Sequence, residues 1–292
     1  MLDVFEVVLF GSAKKSVGGW VPARPVWLLS MDIREAVSAR STGSRHPWEL
    51  ARVDIVDLLL HEYAPDVLNG SGAVLDMGCG DAFLAQSLAK RYPAARVVGV
   101  DTAFDDELIQ TFRDQQPCVN VELFRSFDSW TCGDNEVSAV LLMDVLEHVR
   151  DDQPFIRSLA EDRRVRDDAL FIVSVPAYEA LFASHDEVLG HYRRYTRRRL
   201  TDTVTQAGLD VAESGYLFAS LVIPRLVEKM VEKIVPASRQ KNIGRAEWPA
   251  GAASARMCRS FLTADFRLVR YLSSHGINLP GLSCYAVCRI SS

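Results

Sequence analysis

The segment Ala73-Val74-Leu75-Asp76-Met77-Gly78-Cys79-Gly80-Asp81-Ala82 constrains the fold of this chain more than any other. An apolar run that breaks into closely spaced glycines and then into an amphipathic stretch reads as strand, tight turn and helix. The glycines let the backbone approach a ligand that side chains would block. About twenty residues on, Val97-Val98-Gly99-Val100-Asp101 is a second apolar run, and it ends in an acid. That places a carboxylate at the tip of a neighbouring strand, where it can grip ribose hydroxyls. Together the two segments predict a nucleoside-binding site.

The residue types narrow the nucleoside. A phosphate-cradling loop ends in Gly-Lys-Ser or Gly-Lys-Thr, and Gly80-Asp81-Ala82 does not. The dinucleotide fingerprint takes glycines at its first, third and sixth positions; Gly78 and Gly80 fit, but the sixth is Phe83. Asp81 also occupies the positive end of the following helix, where a pyrophosphate would meet a like charge. The turn favours a nucleoside without phosphates that carries its own positive charge.

These residues resemble the first motif of the class I S-adenosylmethionine-dependent methyltransferases, Asp/Glu-x-Gly-x-Gly-x-Gly. Asp76, Gly78 and Gly80 match it, and Ala82 stands at the third glycine. The resemblance implies S-adenosylmethionine as cofactor, with Asp76 near its cationic methionine end and Asp101 on the ribose. Asp128, in the loop after the third strand, is implied as a contact for the adenine amino group. Cys79, Thr102 and Asp144 complete the expected cofactor-binding set.

Periodicity places the elements around that turn. Helices are expected from Pro47 to about Tyr63, over 82–91, from Asp105 to about Asp114, over 151–162 and over 196–207. Strands are expected at 96–100, near 119–124, and at 137–143, 170–175, 211–216 and 283–290. With the strand before the glycine turn they make seven, alternating with helices: a doubly wound, mainly parallel α/β sheet. The run Val137–Met143 is almost wholly apolar, as a strand covered on both faces requires. The expected domains are an N-terminal extension or cap (1–45), a catalytic domain (46–216 and 281–292) and a helical substrate cap (217–280). Within that cap, Leu217–Val235 repeats apolar residues at helical spacing, which suits core packing, a homodimer contact, a membrane-surface helix or a lid. Residues 1–30, with Gly18-Gly19, Pro22 and Pro25, predict neither helix nor strand, and either poor order or a natural start at Met31.

Composition bounds the setting. The net charge of −5 disfavours a generic nucleic-acid partner. Six cysteines without a Cys-x-x-Cys pair predict reduced thiols in a cytoplasmic protein. No apolar run approaches the ~18 residues of a membrane span, which leaves at most peripheral membrane contact.

Chemistry beyond the cofactor gathers after two strands. Asp144-Val145-Leu146-Glu147-His148-Val149 closes the fourth strand, where ligands of a doubly wound sheet bind. Methyl transfer from a sulfonium needs the acceptor aligned and usually deprotonated, and a histidine can do this near neutral pH. His148 is the first candidate base; capping of the next helix is its alternative. After the fifth strand come Ser184-His185-Asp186-Glu187 and Gly190-His191-Tyr192-Arg193-Arg194-Tyr195. Imidazoles and carboxylates so placed can bind a divalent ion that polarises a hydroxyl. The pattern resembles ubiquinone-biosynthesis O-methyltransferases and small-RNA 2′-O-methyltransferases, which carry an acid-x-x-Glu-His motif and a later histidine before an aromatic-rich segment. Asp144, Glu147, His148 and His191 fall on those positions in turn, implying a site for Mg2+ or another divalent metal and a catalytic set of His148, His191 and Glu147. Asp144 is a shorter arm than the usual glutamate. His46, His185, Tyr192, Arg193 and Arg194 are the expected acceptor contacts, the two arginines as a clamp for phosphate or carboxylate. The resemblance covers roughly residues 45–215 and the last strand. It implies methyl transfer to a hydroxyl of a small or lipid-linked metabolite such as a glycan, glycolipid or secondary metabolite. RNA 2′-O-methylation, N- or C-methylation of a natural product, and a non-catalytic cofactor-binding subunit remain as alternatives.

Overall fold

The seven apolar runs become the strands β1 (Ala73–Met77), β2 (Arg96–Val100), β3 (Val121–Phe124), β4 (Val137–Met143), β5 (Val165–Pro176), β6 (Leu209–Leu217) and β7 (Ser283–Ile290). In the computed structural model, which describes residues 14–16, 19–21, 44–115, 118–134, 136–182, 184–227, 247–248 and 251–291, they form one sheet in the order β3-β2-β1-β4-β5-β7-β6. β1 pairs in parallel with β2 and β4, β2 with β3, and β4 with β5. β7 runs antiparallel to both β5 and β6. The chain leaves β1 toward β2 on one side and returns to β4 on the other. That reversal opens a crevice at the carboxyl ends of β1 and β4.

Helices cover both faces: α1 (Pro47–Tyr63), α2 (Phe83–Arg91), α3 (Asp106–Gln115), α4 (Asp152–Ala160), α5 (Ser184–Leu189), α6 (Arg197–Gln206) and α7 (Gly251–Ser274). Successive strand residues point to opposite faces. Leu75 and Leu142 therefore join Phe155 of α4 and Leu200 of α6 in one core layer. Val74 and Leu141 join Leu59 of α1, Leu88 of α2 and Phe266 of α7 in the other. Burial on both sides is why these strands read as unbroken apolar runs. Pro47 opens α1 at a position where its missing N–H costs nothing, and the Thr196 hydroxyl caps α6 by accepting from the Arg199 N–H at 3.1 Å.

Several boundaries differ from the sequence reading. β3 begins at Val121 and β5 already at Val165, because the polar residues Arg166, Asp167 and Asp168 extend the strand beyond its apolar part. The helix expected from Leu217 starts only at residue 222: Phe218 takes a left-handed φ of 61° and Ala219–Leu221 form a 3-10 turn. Residues 228–235 of that expected helix lie outside the described residues. Composition predicted no strand before residue 30, yet Lys14–Ser16 pair antiparallel with Gly19–Val21, a local ladder that Trp20 and Val21 favour. The expectations of poor order and a start at Met31 fall otherwise outside the described residues.

The described part of 217–280 is built into the domain. α7 packs along α1, with Arg259 on Asp54 at 2.6 Å, and sets Phe266 edge-on to Tyr285 of β7 at 5.5 Å. Just before α7, Glu247–Trp248 pair antiparallel with Ser44–Arg45, ahead of α1. No helix among the described residues is long and apolar enough to cross a membrane. Phe266 is fully buried, so Phe266→Ala should lower the stability of the whole domain by about 3–5 kcal/mol in a single urea transition. A separate early transition for residues 217–280 would show a detachable cap instead.

Candidate functional site

The glycine turn is held to β2 by its own backbone: the Gly78 and Cys79 N–H groups donate to the Val100 carbonyl at 2.7 and 3.1 Å. Gly78 has φ 71°, and a Cβ there would meet Val145 Cγ2 at 2.7 Å. Gly80 has φ 56° and would meet nothing within 4 Å, so its face is open. Ala82, at the third glycine position, adopts the same left-handed conformation (φ 58°). The turn borders a cleft of about 230 Å³ whose lining includes Arg45, Arg52, Asp76, Gly78, Gly80 and Met143. A larger groove of about 540 Å³ lies between β6 and α7 and holds none of the residues singled out in the sequence.

Acids crowd this cleft. Asp76 is buried; one carboxylate oxygen receives the Ala85 N–H of α2, and Oδ2 has no hydrogen-bond partner among the described residues. Burial first, then the Asp101 and Asp81 carboxylates, push its pKa up to about 7. Asp101 accepts from the Gly80 N–H at 2.8 Å and the Ala103 N–H at 2.9 Å, and burial raises its pKa. Thr102 follows it in the turn. The Cys79 thiol is buried in a small cluster with Phe104 and Leu123, and that burial, reinforced by Asp76, holds it protonated. Arg45, absent from the sequence expectations, bonds Asp81 at 2.6 Å and Glu49 at 2.7 Å and lies over the Phe83 ring. Its spacing of four from Glu49 was the available signal.

Beyond β3, the adenine-side expectation Asp128 sits exposed on the turn Phe127–Ser129. Buried Arg164 fastens that turn, donating to the Phe127 carbonyl at 2.6 Å and the Trp130 carbonyl at 3.1 Å. It reaches Asp128 at 3.3 Å.

Across the crevice, Asp144 follows β4 in a left-handed conformation (φ 58°), ion-paired with Arg52 of α1. Glu147 and His148 lie on the next 3-10 turn. His191 reaches them because the Tyr192 N–H donates to the Glu147 carbonyl at 2.8 Å. The His148 and His191 rings meet edge to face at 4.6 Å. One donor atom each from Glu147, His148 and His191 lie within 4.8 Å of one another. Asp144, expected as a fourth ligand, is drawn to Arg52 and stands outside this group. Both Glu147 oxygens are buried without a partner among the described residues, and burial, reinforced by Asp144, pushes its pKa well up. His191 Nδ1 is fixed by buried Asp186 at 2.7 Å, which leaves its other ring nitrogen for the group.

The two arginines expected as an anion clamp are engaged within the chain. Arg194 is buried, with Nε on Asp186 at 2.9 Å and NH1 on the Ala177 carbonyl at 3.1 Å. Arg193 holds Asp152 at 2.9 Å and the Arg150 carbonyl at 2.6 Å. Both guanidiniums tie loops together, because carboxylates of their own chain reach them first. Tyr192 is exposed between Arg150 and Arg193. His46 precedes α1, its ring tilted against Trp48 with centroids 3.6 Å apart, and burial lowers its pKa to about 4. His185 falls on α5, and its side chain lies outside the described residues.

A family model for a methyltransferase domain matches residues 48–214, more than half of the chain. The chain belongs to the class I S-adenosylmethionine-dependent methyltransferases. A protein of Mycolicibacterium smegmatis named a probable S-adenosylmethionine-dependent methyltransferase is 26% identical over 177 residues, 60% of this chain and 66% of that one. A ubiquinone biosynthesis O-methyltransferase of Neisseria meningitidis is 30% identical over 159 residues, 48% of this chain and 65% of its own length. The chain thus spans just under two thirds of these relatives. In fold it is similar to a putative sarcosine dimethylglycine methyltransferase from Galdieria sulphuraria, with a TM-score of 0.56 at 13% identity, over 89% of this chain and 98% of that one.

The raised pKa of Asp76 has a stability consequence for this methyltransferase. A carboxyl with a pKa near 3.8 unfolded and about 7 folded contributes fully below pH 4 and loses that contribution as pH rises to 7. Asp76→Asn should therefore flatten the stability profile between about pH 4 and 7. Above pH 7 it should be the more stable protein, by about 2–4 kcal/mol in urea titrations.

Proposed function

We propose that this methyltransferase transfers the methyl group of S-adenosylmethionine to a hydroxyl of a small or lipid-linked metabolite. One observation carries the reading: the cleft floored by Asp76 and the Glu147–His148–His191 group share the carboxyl edge of adjacent strands β1 and β4. The cleft fits the cofactor. Gly80 leaves open space for it, and the partnerless Oδ2 of Asp76 suits a cationic methionine end. In this reading Asp101 takes the ribose and Asp128 the adenine end. When bound, S-adenosylmethionine supplies an electrophilic methyl on a sulfonium and leaves as a neutral thioether.

The chain itself aligns the acceptor and removes its proton. His148 takes the proton where its ring nitrogen is not occupied by a metal, and Asp186 orients His191 beside it. Glu147 is buried with its pKa pushed up, and a cation beside it would favour its charged form. That fits a divalent ion such as Mg2+, which Glu147, His148 and His191 would hold and which would lower the pKa of an acceptor hydroxyl. A relative named for O-methyl transfer supports oxygen as the acceptor atom. Free thiols at all six cysteines support a reducing, cytoplasmic setting and a metabolic role there.

Calorimetry with S-adenosylhomocysteine tests the cofactor site: Asp101→Ala should weaken binding by about 1–3 kcal/mol, and unchanged affinity would remove Asp101 from the ribose. Labelled cofactor offered to hydroxylated metabolites and lipid-linked sugars tests the acceptor. With that acceptor, His148→Ala should lose about 100-fold or more in turnover. Chelation should abolish activity, restored by Mg2+; full turnover after chelation would leave His148 to act without a metal.

A further inference from the structure

We propose that the outer face of α7 docks on an anionic membrane surface. The helix carries two apolar faces and the domain uses one. Ala255, Leu262, Phe266 and Val269 are buried against the fold. Met257, Phe261, Leu268 and Tyr271 recur at spacings of four, seven and three along the other side, and are 70%, 59%, 55% and 61% exposed. Such spacing makes one continuous stripe on a helix. A stripe of large exposed side chains on a folded domain marks a contact surface.

Charge selects the occupant. Arg259 turns inward to Asp54, Arg270 to Glu62 and Glu213, and Asp265 receives the Ser220 N–H at 3.2 Å. The charged side chains left on the exposed face of α7 are Arg256 and Arg267, and neither has an ion pair among the described residues. The chain as a whole carries a net charge of −5, so an apolar helix face whose own remaining charges, Arg256 and Arg267, are both basic is a local reversal. Apolar side chains with flanking arginines fit the boundary between acyl chains and anionic headgroups. A second copy of this chain would set arginine flanks against arginine flanks with no acid between them.

The position is useful. α7 begins just after Glu247–Trp248, which pair with Ser44–Arg45, and Arg45 lines the cofactor cleft. Docking along α7 would bring the methyltransferase to a bilayer by an element joined directly to its cleft. The inference does not rest on the acceptor: its test reads partition, not turnover.

The full chain is sedimented with vesicles of phosphatidylcholine alone and with vesicles of phosphatidylcholine and phosphatidylglycerol in equal amounts. It should pellet with the anionic vesicles and stay largely in solution with the neutral ones. Phe261→Ser combined with Leu268→Ser should lose most of the binding while S-adenosylhomocysteine affinity is kept. Arg256→Gln and Arg267→Gln should each reduce partition about fivefold. Failure to pellet with either vesicle, or undiminished binding by the double serine variant, would overturn the proposal. So would a dimer in solution that the serine substitutions convert to monomer, since the face would then belong to a second copy.

Discussion

Five carboxylates meet at the carboxyl edge of β1, β2 and β4, and two arginines answer them. Arg45 takes Asp81 and Arg52 takes Asp144. Among the described residues nothing comparable reaches Asp76 or Glu147, each with at least one buried oxygen that has no partner there. Burial and like charge both act against ionisation there and push both pKa values up, and a cation beside either group would act the other way. The site is electrostatically unfinished on both sides of the crevice. On one side that suits the positive methionine end of the cofactor, and on the other the metal ion proposed above.

The arginines that do answer sit on or just before α1, so the charge balance depends on where that helix is held. α1 is fixed by the sheet beneath it and by α7 beside it, through Asp54–Arg259 and Glu62–Arg270. A segment that reads as a separate cap is thereby coupled to the cofactor cleft through α1. The physical reason is that α7 buries Leu262 and Phe266 in the same layer as Leu59 and Val74, and could not be lifted away without exposing them.

Local signals made much of this legible in the sequence. The glycine turn and the doubly buried strands depend on residues adjacent in the chain, and β1, β2 and β4 stand where periodicity puts them. Pairings between distant residues were not legible. The motif makes Asp144 an expected metal ligand, and its ion pair with Arg52, ninety-two positions away, leaves no sign there. Arg193 and Arg194 looked like an anion clamp because their partners, Asp152 and buried Asp186, are brought to them only by the fold. The antiparallel insertion of β7 between β5 and β6 is likewise a property of the sheet and leaves no mark in its residues.

Backbone strain points to the same edge. Among the described residues, the non-glycine positions with positive φ are Ala82, Asp144, Tyr178 and Phe218. Each lies just past the carboxyl end of a strand: β1, β4, β5 and β6 in turn. Such conformations cost about 1–3 kcal/mol apiece and persist only where surrounding contacts enforce them. The contacts are visible: Asp144 N–H on the Ser174 carbonyl at 2.9 Å, Tyr178 N–H on the Tyr195 carbonyl at 2.7 Å, and the Tyr178 ring stacked on Tyr216. Tyr195 in turn donates its hydroxyl to Asp152, beside the loop that carries His148. The aromatic and arginine residues after β5 therefore act as ties across the edge. They hold strained strand ends and the Glu147–His148–His191 group in one arrangement before any ligand binds, which is what alignment of a methyl and its acceptor requires.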